Sequence, residues 1–343
     1  YSENYSENFI IIDNEYNALS PNSFGNFEIS TVLINTSFSK SNENISETFE
    51  NFQNNRLVIA QRLAALNGDF SGDIDEFGFP IGYGKNNQSV LIPAFLSAYS
   101  GKNPESISLN AISKTPLPSW SLSYSGLMNI DFIKERFKRF SLGHAYRSSY
   151  TLNNFKSNLE YDSENTQLTD DSGNYINEFL YTNVNLVEQF NPLLKIDMEL
   201  NNSLQIVMSL KKDRALSLSL DNNLLTESSG TDYSIGLGYR IKDLKFTNRV
   251  GGKRKVSKGD LNIKTDLNFR DNITIIRNLN ILDNKVTAGQ TMWSLKTSAD
   301  YNLSKSFNAI FFYDHLFSKF AISTAFPMTT IRAGMTLRYS FGE

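Results

Sequence analysis

Alternation of apolar and polar residues dominates the chain from residue 116 onward. In "RALSLSLD", Leu216, Leu218 and Leu220 alternate with Ala and Ser, and "TTIRAGMTLRYSFGE" (329–343) alternates in the same way. A period of two residues is typical of a strand with one apolar face. The pattern predicts about 13 or 14 strands, many of them about 9 to 12 residues long, with Tyr or Phe near their ends.

A helical period interrupts this pattern near the start of the chain. Apolar residues recur at helical spacing from about Asn44 to Leu66, and Asn67-Gly68 predicts the stop. "SVLIPAFLSAYSG" predicts a second helix, with Ser89 as a candidate cap and Pro93 near its first turn. The predicted organisation is a tail or connector over 1–23, a barrel strand over 24–38, a helical insertion over 39–115, and transmembrane strands over 116–343 that include the closing C-terminal strand.

Two features between the predicted strands are local. "IDFIKERFKR" (130–139) predicts a short helical turn, and Asn201-Asn202 predicts a tight hairpin between "LLKIDMEL" and "LQIVMSL".

A soluble β-sandwich and a transmembrane β-barrel can have the same mean hydropathy, so strand length is the property that distinguishes them. The mean hydropathy of -0.33 is that of a water-soluble protein, but a transmembrane barrel alternates polar and apolar residues and averages to a similar value. No apolar run approaches the roughly 20 residues of a membrane helix. Strands of a β-sandwich usually have about 5 to 6 residues, so the longer strands favour an all-β fold, a transmembrane antiparallel β-barrel wall with a small helical insertion. A large soluble or extracellular β-domain remains the alternative.

Charge and cysteine content exclude some functions. The net charge is -3, which lacks the basic footprint that nucleic acid requires. Cysteine is absent, so disulfides are excluded and the compartment stays open. The first residues, "YSENYSENFIII", lack an initiator Met and a signal-peptide pattern, so we expect a fragment of a longer protein.

Neither of the two histidines predicts a catalytic site. His144 lies on the apolar face of its strand, where a packed or interfacial imidazole is expected. His315 follows Asp314, but adjacent strand residues point to opposite faces, so the two do not form a dyad. We assign no catalytic, cofactor-binding or metal-binding residue, and the chain is not expected to be an enzyme.

Two loop segments carry weaker signals for a ligand. Asp69, Asp73, Asp75 and Glu76 faintly resemble a calcium loop, but Gly and Glu are missing from the required positions. "GFPIGYGKNN" lacks the context of a nucleotide-binding loop. Solvated loops are the favoured interpretation of both segments.

Two segments are rich in basic residues. Lys134, Arg136, Lys138 and Arg139, and the later "GGKRKVSKG", are expected in solvated loops between strands, with lipid phosphates as a candidate contact.

The helical segments are expected to form a periplasmic or lumenal subdomain, with docking of a partner as the alternative. Three glycines are expected to keep the inner wall of a barrel low: Gly236, Gly238 and Gly334.

Several segments, read in order, resemble one family. They are "YGKNNQSVLIPAFLSAYSGKNP", "PLPSWSLSYSGL", "SLGHAYRSSYTLNNFKSN", "DLNIKTDLNFRDNITIIRNL", "TAGQTMWSLKTSADYNLSKSFNAIFFYDHLF" and "FPMTTIRAGMTLRYSFGE". Residues from roughly 45 to 343 are similar to the C-terminal part of SprA/Sov, the outer-membrane translocon of the type 9 secretion system of Bacteroidetes.

This resemblance implies a function and a set of partners. Members are several times longer than this chain and form a very wide single-chain barrel in the cell outer membrane. The barrel exports folded proteins, including gliding adhesins and secreted enzymes. The implied partners are outer-membrane lipid, cargo with a C-terminal secretion signal, a PorV-type barrel shuttle protein, a periplasmic plug protein and, indirectly, the inner-membrane motor complex. No cofactor and no nucleic acid are implied.

Two other functions stay open at this point. One is a self-contained barrel of about 14 strands that acts as a porin or a channel for hydrophobic compounds. The other is a surface β-domain with a helical insert that binds a partner without forming a pore.

Overall fold

Antiparallel β-sheet makes up most of the described chain. The computed structural model describes residues 2–6, 9–12, 15–18, 22–68, 72–250, 253–281, 283–304, 307–322 and 326–341. The strands are β1 Ser2–Ser6, β2 Phe9–Ile12, β3 Glu15–Ala18, β4 Asn22–Ser30, β5 Trp120–Tyr124, β6 Phe137–Ser157, β7 Phe179–Leu180, β8 Asn183–Leu200, β9 Leu204–Ser219, β10 Leu224–Val250, β11 Lys253–Asn278, β12 Asn284–Ser304, β13 Phe307–Phe320 and β14 Met328–Tyr339. The helices are α1 Glu47–Asn67, α2 Gln88–Ser100 and α3 Asp131–Lys134.

One large sheet runs through nearly all the strands, in the order β1-β4-β6-β8-β9-β10-β11-β12-β13-β14. From β8 to β14 each strand pairs with its sequence neighbour, and the predicted hairpin at Asn201-Asn202 is confirmed between β8 and β9. In the described part of the chain, β1 pairs only with β4 and β14 only with β13, so the sheet is open there.

The helical insertion connects β4 to β5, and these two strands pair with successive parts of the same strand, β6. Strand β4 pairs with the second half of β6, and β5 pairs with its first half. At the exit, the backbone N–H of Thr31 donates to the carbonyl of Ser148 (3.0 Å), and at the return the N–H of Leu117 donates to the carbonyl of Ser30 (3.0 Å). Both helices α1 and α2 are therefore part of one excursion from the edge of the sheet.

Helix α1 begins and ends as its sequence predicts. Ser46 precedes the helix in extended conformation, and its side chain accepts a hydrogen bond from the backbone of Phe49. Gly68 ends the helix with φ of 68°, a left-handed conformation that suits glycine. The predicted helix and its stop are confirmed, and α3 confirms the short helical turn.

Helix α2 differs in detail from the prediction. The cap is Asn87, whose side-chain oxygen accepts from the backbone N–H of Ser89 at 2.8 Å. The helix therefore begins one residue before Ser89, and Pro93 lies inside it rather than near its first turn. Asn is among the strongest capping residues, which explains why it takes the position assigned to Ser89.

The first 38 residues differ most from the prediction. Residues 1–23, predicted as a tail or connector, contain β1, the β2–β3 hairpin and the beginning of β4. The strand predicted over 24–38 ends at Ser30, and a 3-10 turn follows at Ile34–Thr36. The backbone N–H groups of Thr36 and Ser37 donate to the carbonyls of Leu33 and Ile34 (3.1 and 3.3 Å), which stabilises a turn in place of extended chain.

Candidate functional site

The two faces of the sheet differ in chemistry, and the strand register defines both faces. Directly paired residues point to the same side, and the pairs Ile235–Met208, Leu267–Leu295 and Phe311–Met335 are apolar. We name this side the apolar face. Its exposed part, the apolar band, consists of Leu122, Tyr124, Leu194, Tyr233, Ile235, Leu237, Tyr239, Leu267, Phe269, Phe311, Tyr313, Ile331, Met335, Leu337 and Tyr339.

The length of the apolar band is comparable to the apolar height of an outer-membrane barrel. On β10 the band extends from Tyr233 to Tyr239, about 20 Å along the strand at 3.4 Å per residue, and the apolar band of outer-membrane barrels is roughly 25 Å tall. A row of polar pairs, Thr231–Asp271 and Asp271–Thr291, limits it on one side. A contiguous exposed apolar surface of this extent marks an interaction with lipid or another apolar surface.

The opposite side, the polar face, carries charges arranged as cross-strand ion pairs. Arg139 pairs with Asp197 (2.9 Å), Arg270 with Asp232 (3.4 Å) and Arg332 with Asp314 (3.1 Å). Similar pairs join Lys138 to Glu199 and Arg240 to Asp260. Exposed pairs of this kind contribute little stability, so their main effect is a hydrated surface of mixed charge.

One of the three glycines predicted to keep this face low does not do so. The ring of Phe312 covers Gly334, and a Cβ atom placed there would lie 2.7 Å from the ring. Phe312 is itself on the polar face, so the surface here carries an aromatic ring. At Gly236 the nearest group is the Asp266 carboxylate, 2.9 Å from the position of a Cβ atom, so this part of the surface stays polar.

Helices α1 and α2 pack on the apolar face, at the end of the strands beyond the apolar band. Phe52 and Phe95 are fully buried together with Leu152, Leu186 and Leu218 of the sheet. Complete burial of such side chains contributes about 1.5 to 3 kcal/mol each. The insertion therefore shares its core with the sheet.

Two buried ion pairs fix the segment that leads from β4 to α1. Arg214 of β9 contacts Glu188 of β8 at 3.1 Å, and Arg277 of β11 contacts Glu227 of β10 at 3.2 Å. All four side chains are at most 7% exposed. We name these four residues the ion-pair clasp.

Each ion pair of the clasp forms hydrogen bonds with the segment that leads from β4 to α1. The guanidinium of Arg214 donates to the carbonyl and the hydroxyl of Thr36, and Glu188 accepts from Ser37 at 2.6 Å. Arg277 donates to Ser41 and to the carbonyl of Asn42 at 2.8 and 2.9 Å. These bonds satisfy charges that would otherwise be costly to bury.

Sequence reasoning missed the clasp, although a signal exists. Arg214 is in phase with Leu216 and Leu218, and Glu227 is in phase with Leu225. A charged residue at a position whose neighbours two residues away are apolar indicates a buried pair or a protein contact. The same phase rule applies to Glu188 and Arg277.

Burial also shifts the pKa of two groups within the insertion. Burial raises the pKa of Tyr99 on α2 well above its ordinary value, and burial lowers the pKa of the Arg56 guanidinium on α1. Arg56 donates to the carbonyl of Lys85 at 3.3 Å, which ties α1 to the loop before α2. Both residues hold the insertion together.

The histidines occupy the positions predicted for them. The Nδ1–H of His144 donates to the carbonyl of Leu193 (2.7 Å), and the ring lies near Trp120. His315 packs edge-on against Trp293, while Asp314 points to the other face and pairs with Arg332. The prediction that Asp314 and His315 are not a dyad is confirmed.

The acidic loop and the glycine-containing loop are ordered by their own contacts. Asp75 accepts from the backbone N–H groups of Phe77 and Phe79 at 2.8 Å each, which occupies one carboxylate oxygen within the loop. Asp69 lies outside the described residues. Tyr83 packs edge-on against Tyr175 at 5.2 Å, so "GFPIGYGKNN" has a packing role.

The prediction that the basic segments lie in loops between strands is wrong for part of each segment. Lys138 and Arg139 lie in β6, where they form the ion pairs named above, and Arg136 lies over the ring of Phe132 at 4.2 Å. Residues 253–259 of "GGKRKVSKG" belong to β11, and most of the side chains of this segment lie outside the described residues.

The described residues contain neither a membrane-spanning helix nor a metal-binding cluster. No helix there is long and apolar enough to cross a membrane. No group of three or more His, Cys, Asp or Glu side chains there is arranged to hold a metal ion.

Comparison with known proteins gives no relative. No protein-family model matches the chain, and no curated protein sequence matches it.

Proposed function

We propose that the chain is part of the wall of an outer-membrane protein-conducting channel, a translocon of the type 9 secretion system. The observation that carries this proposal is the two-faced sheet, with an exposed apolar band that continues across the strands on one side and a hydrated, mixed-charge surface on the other. Lipid would contact the apolar band, and the polar face would line a wide aqueous passage. The resemblance to SprA/Sov supplies the cargo class, folded proteins with a C-terminal secretion signal.

The polar face suits passage of protein rather than chemistry. Its charges are of both signs and several form cross-strand ion pairs, so a passing protein meets no strong field of one sign. The energy for transport then comes from partners, for which the resemblance implies the motor complex. A PorV-type shuttle, a plug protein and outer-membrane lipid complete the proposed set of partners.

The position of the insertion narrows its proposed environment. With the apolar band facing lipid, helices α1 and α2 lie on the outer side of the wall and beyond the membrane. Of the two environments expected from the sequence, this arrangement favours the periplasmic one over the lumenal one.

The open sheet bears on the alternative of a self-contained porin. Both edges, β1 and β14, lack a second partner within the described residues. An exposed edge of 12 residues readily pairs with another strand. This favours a wall that continues into other strands over a closed barrel of about 14 strands.

A cysteine experiment tests the membrane assignment. Because the sequence contains no Cys, Leu337→Cys and Arg338→Cys each introduce a single thiol, on opposite faces of β14. In intact outer membranes, we expect a water-soluble maleimide to label Arg338→Cys and a lipid-soluble reagent to label Leu337→Cys. Equal labelling of both by the water-soluble reagent would exclude lipid contact at the apolar band.

A second measurement separates the two channel functions. The test uses cells in which one of the strands β8 to β14 is deleted. If the protein is a translocon, these cells fail to secrete a reporter that bears the C-terminal signal, and their uptake of small solutes is unchanged. The opposite result, with uptake lost and secretion intact, would support the porin.

A further inference from the structure

A cavity of about 350 Å³ lies where the helical insertion joins the edge of the sheet. It is bounded by the end of β4, the C-terminal end of α2 and the returning segment 106–117. Its floor is apolar, with the half-buried side chains of Ile29, Leu96, Ile107 and Leu117 in the lining. Behind them Tyr150 is buried, and its hydroxyl donates to the carbonyl of Ala111 (2.8 Å).

The mouth of the cavity is polar and carries one positive charge. Among the described lining residues, Lys102 is the one charged side chain, and Ser106, Ser108 and Thr115 supply hydroxyl groups. Lys102 is exposed and has no carboxylate among its neighbours in the lining. An apolar floor below a single cation and several hydroxyls is complementary to an amphiphile with one anionic head group.

The cavity opens on the same side of the sheet as the apolar band. Tyr150 is four residues from Tyr146 along β6, about 13 Å, and Tyr146 stacks on Trp120 at 4.6 Å. These two aromatic residues lie next to Leu122, the first member of the band. A ligand that partitions into membranes would therefore be concentrated beside the mouth.

We propose that this cavity binds one fatty acid, with its acyl chain on the apolar floor and its carboxylate at Lys102. A group the size of a water molecule occupies about 30 Å³, so the cavity of about 350 Å³ holds on the order of a dozen groups of that size. This volume is enough for the carbons of one acyl chain and too small for the two chains of a phospholipid. The inference rests on the proposed function in one respect, since the apolar band must face lipid to supply the ligand.

Photolabelling tests the site in the full-length protein within outer-membrane fragments. The probe is dodecanoic acid with a diazirine at the end of its chain, followed by mass spectrometry of the peptides. We expect adducts on the peptides that carry Leu96 or Ile107, and competition by unlabelled dodecanoate. Adducts spread evenly over the apolar band, with none in the cavity, would overturn the proposal.

Variants identify the two halves of the site. Lys102→Glu is expected to reduce labelling about tenfold, because an attraction between exposed charges becomes a repulsion, and Lys102→Arg is expected to retain it. The matched control is Lys114→Glu, which makes the same charge change nearby, outside the lining of this cavity. Leu96→Trp is expected to fill the floor and abolish labelling.

Two further outcomes are decisive against the assignment. Equal competition by dodecanol and dodecanoate would overturn the carboxylate contact, and stronger competition by a lysophospholipid or an apolar peptide would overturn the fatty acid. Heat-modifiability on a gel, measured on each sample, reports the folded membrane barrel separately. Absence of labelling in the unaltered protein with heat-modifiability retained therefore contradicts the cavity alone, and absence of both contradicts the proposed function. In the variants, retained heat-modifiability shows that a loss of labelling does not come from misfolding.

Discussion

Two arginines in this sheet differ in environment although both pair with a carboxylate. Arg277 is fully buried at Glu227 and also bonds to Ser41 and Asn42, whereas Arg270 pairs with Asp232 in solvent. Removing one partner of a buried pair leaves an uncompensated charge. Removing one partner of an exposed pair leaves a hydrated charge.

This contrast predicts the stability of matched variants. We expect Arg277→Met to lower the free energy of unfolding by about 3 to 5 kcal/mol, and Arg270→Met to lower it by at most about 1 kcal/mol. The double variant Arg277→Met/Glu227→Leu should recover most of the loss, because no charge stays buried. Urea unfolding in detergent measures all three, and equal effects of the two single variants would contradict a role for the clasp.

Adjacent residues of β14 provide a second contrast. Leu337 is 53% exposed on the apolar face, and Arg338 is on the polar face. A charge on a lipid-facing position costs up to about 2 to 4 kcal/mol, less for Asp than for Arg or Lys. Leu337→Asp is therefore expected to block assembly into the outer membrane, whereas Arg338→Ser is tolerated. Assembly is read from heat-modifiability and membrane fractionation, and equal tolerance of both variants would contradict the assignment of the faces.

At the level of elements, the strands and helices follow from local sequence, and their arrangement does not. The period of two residues predicts which side chains of β10 share a face, and Asn67-Gly68 predicts the end of α1. Those signals are contained within a few neighbouring residues. The face on which α1 and α2 pack depends on contacts between residues more than 100 positions apart, such as Ser37 with Glu188.

Dependence on distant residues also explains why the strands within residues 1–23 are not predicted. Residues 1–23 are rich in Asn, Ser and Glu and predict no strand by composition, yet Ser2–Ser6 pairs with β4. That pairing depends on an edge supplied by the rest of the sheet. The clasp could have been predicted from its phase with leucines, but the cavity beside Lys102 could not, because its walls come from three separate segments.

The shared core of the insertion predicts its behaviour in isolation. Leu152, Leu186, Leu218 and Leu225 of the sheet complete the core around the helices. Residues 32–116 expressed alone lack these partners, so we expect partial helicity with no cooperative thermal transition, because helices of this length are marginal without packing. Circular dichroism during heating measures this, and a sharp two-state transition would show that the insertion folds independently.

At the scale of the whole molecule, the free edge of β14 is the feature that separates a continuing wall from a closed one. Strand β14 pairs with β13 along Met328–Tyr339. Pairing on one side satisfies roughly half of the backbone N–H groups of an antiparallel strand, since they point alternately to the two neighbours. The other half require a second strand, because unpaired N–H groups are costly within a membrane.

Amide hydrogen exchange can therefore identify the partner of this edge. For residues 1–343 alone in detergent, we expect alternate amides of β14 to exchange rapidly, while those of β12, which is paired on both sides, stay protected and serve as the internal control. The proposed translocon wall predicts that all amides of β14 are protected in a longer protein that supplies a further strand to this edge. Full protection of β14 in residues 1–343 alone would mean that the sheet closes on itself, which would replace the translocon wall with a self-contained barrel.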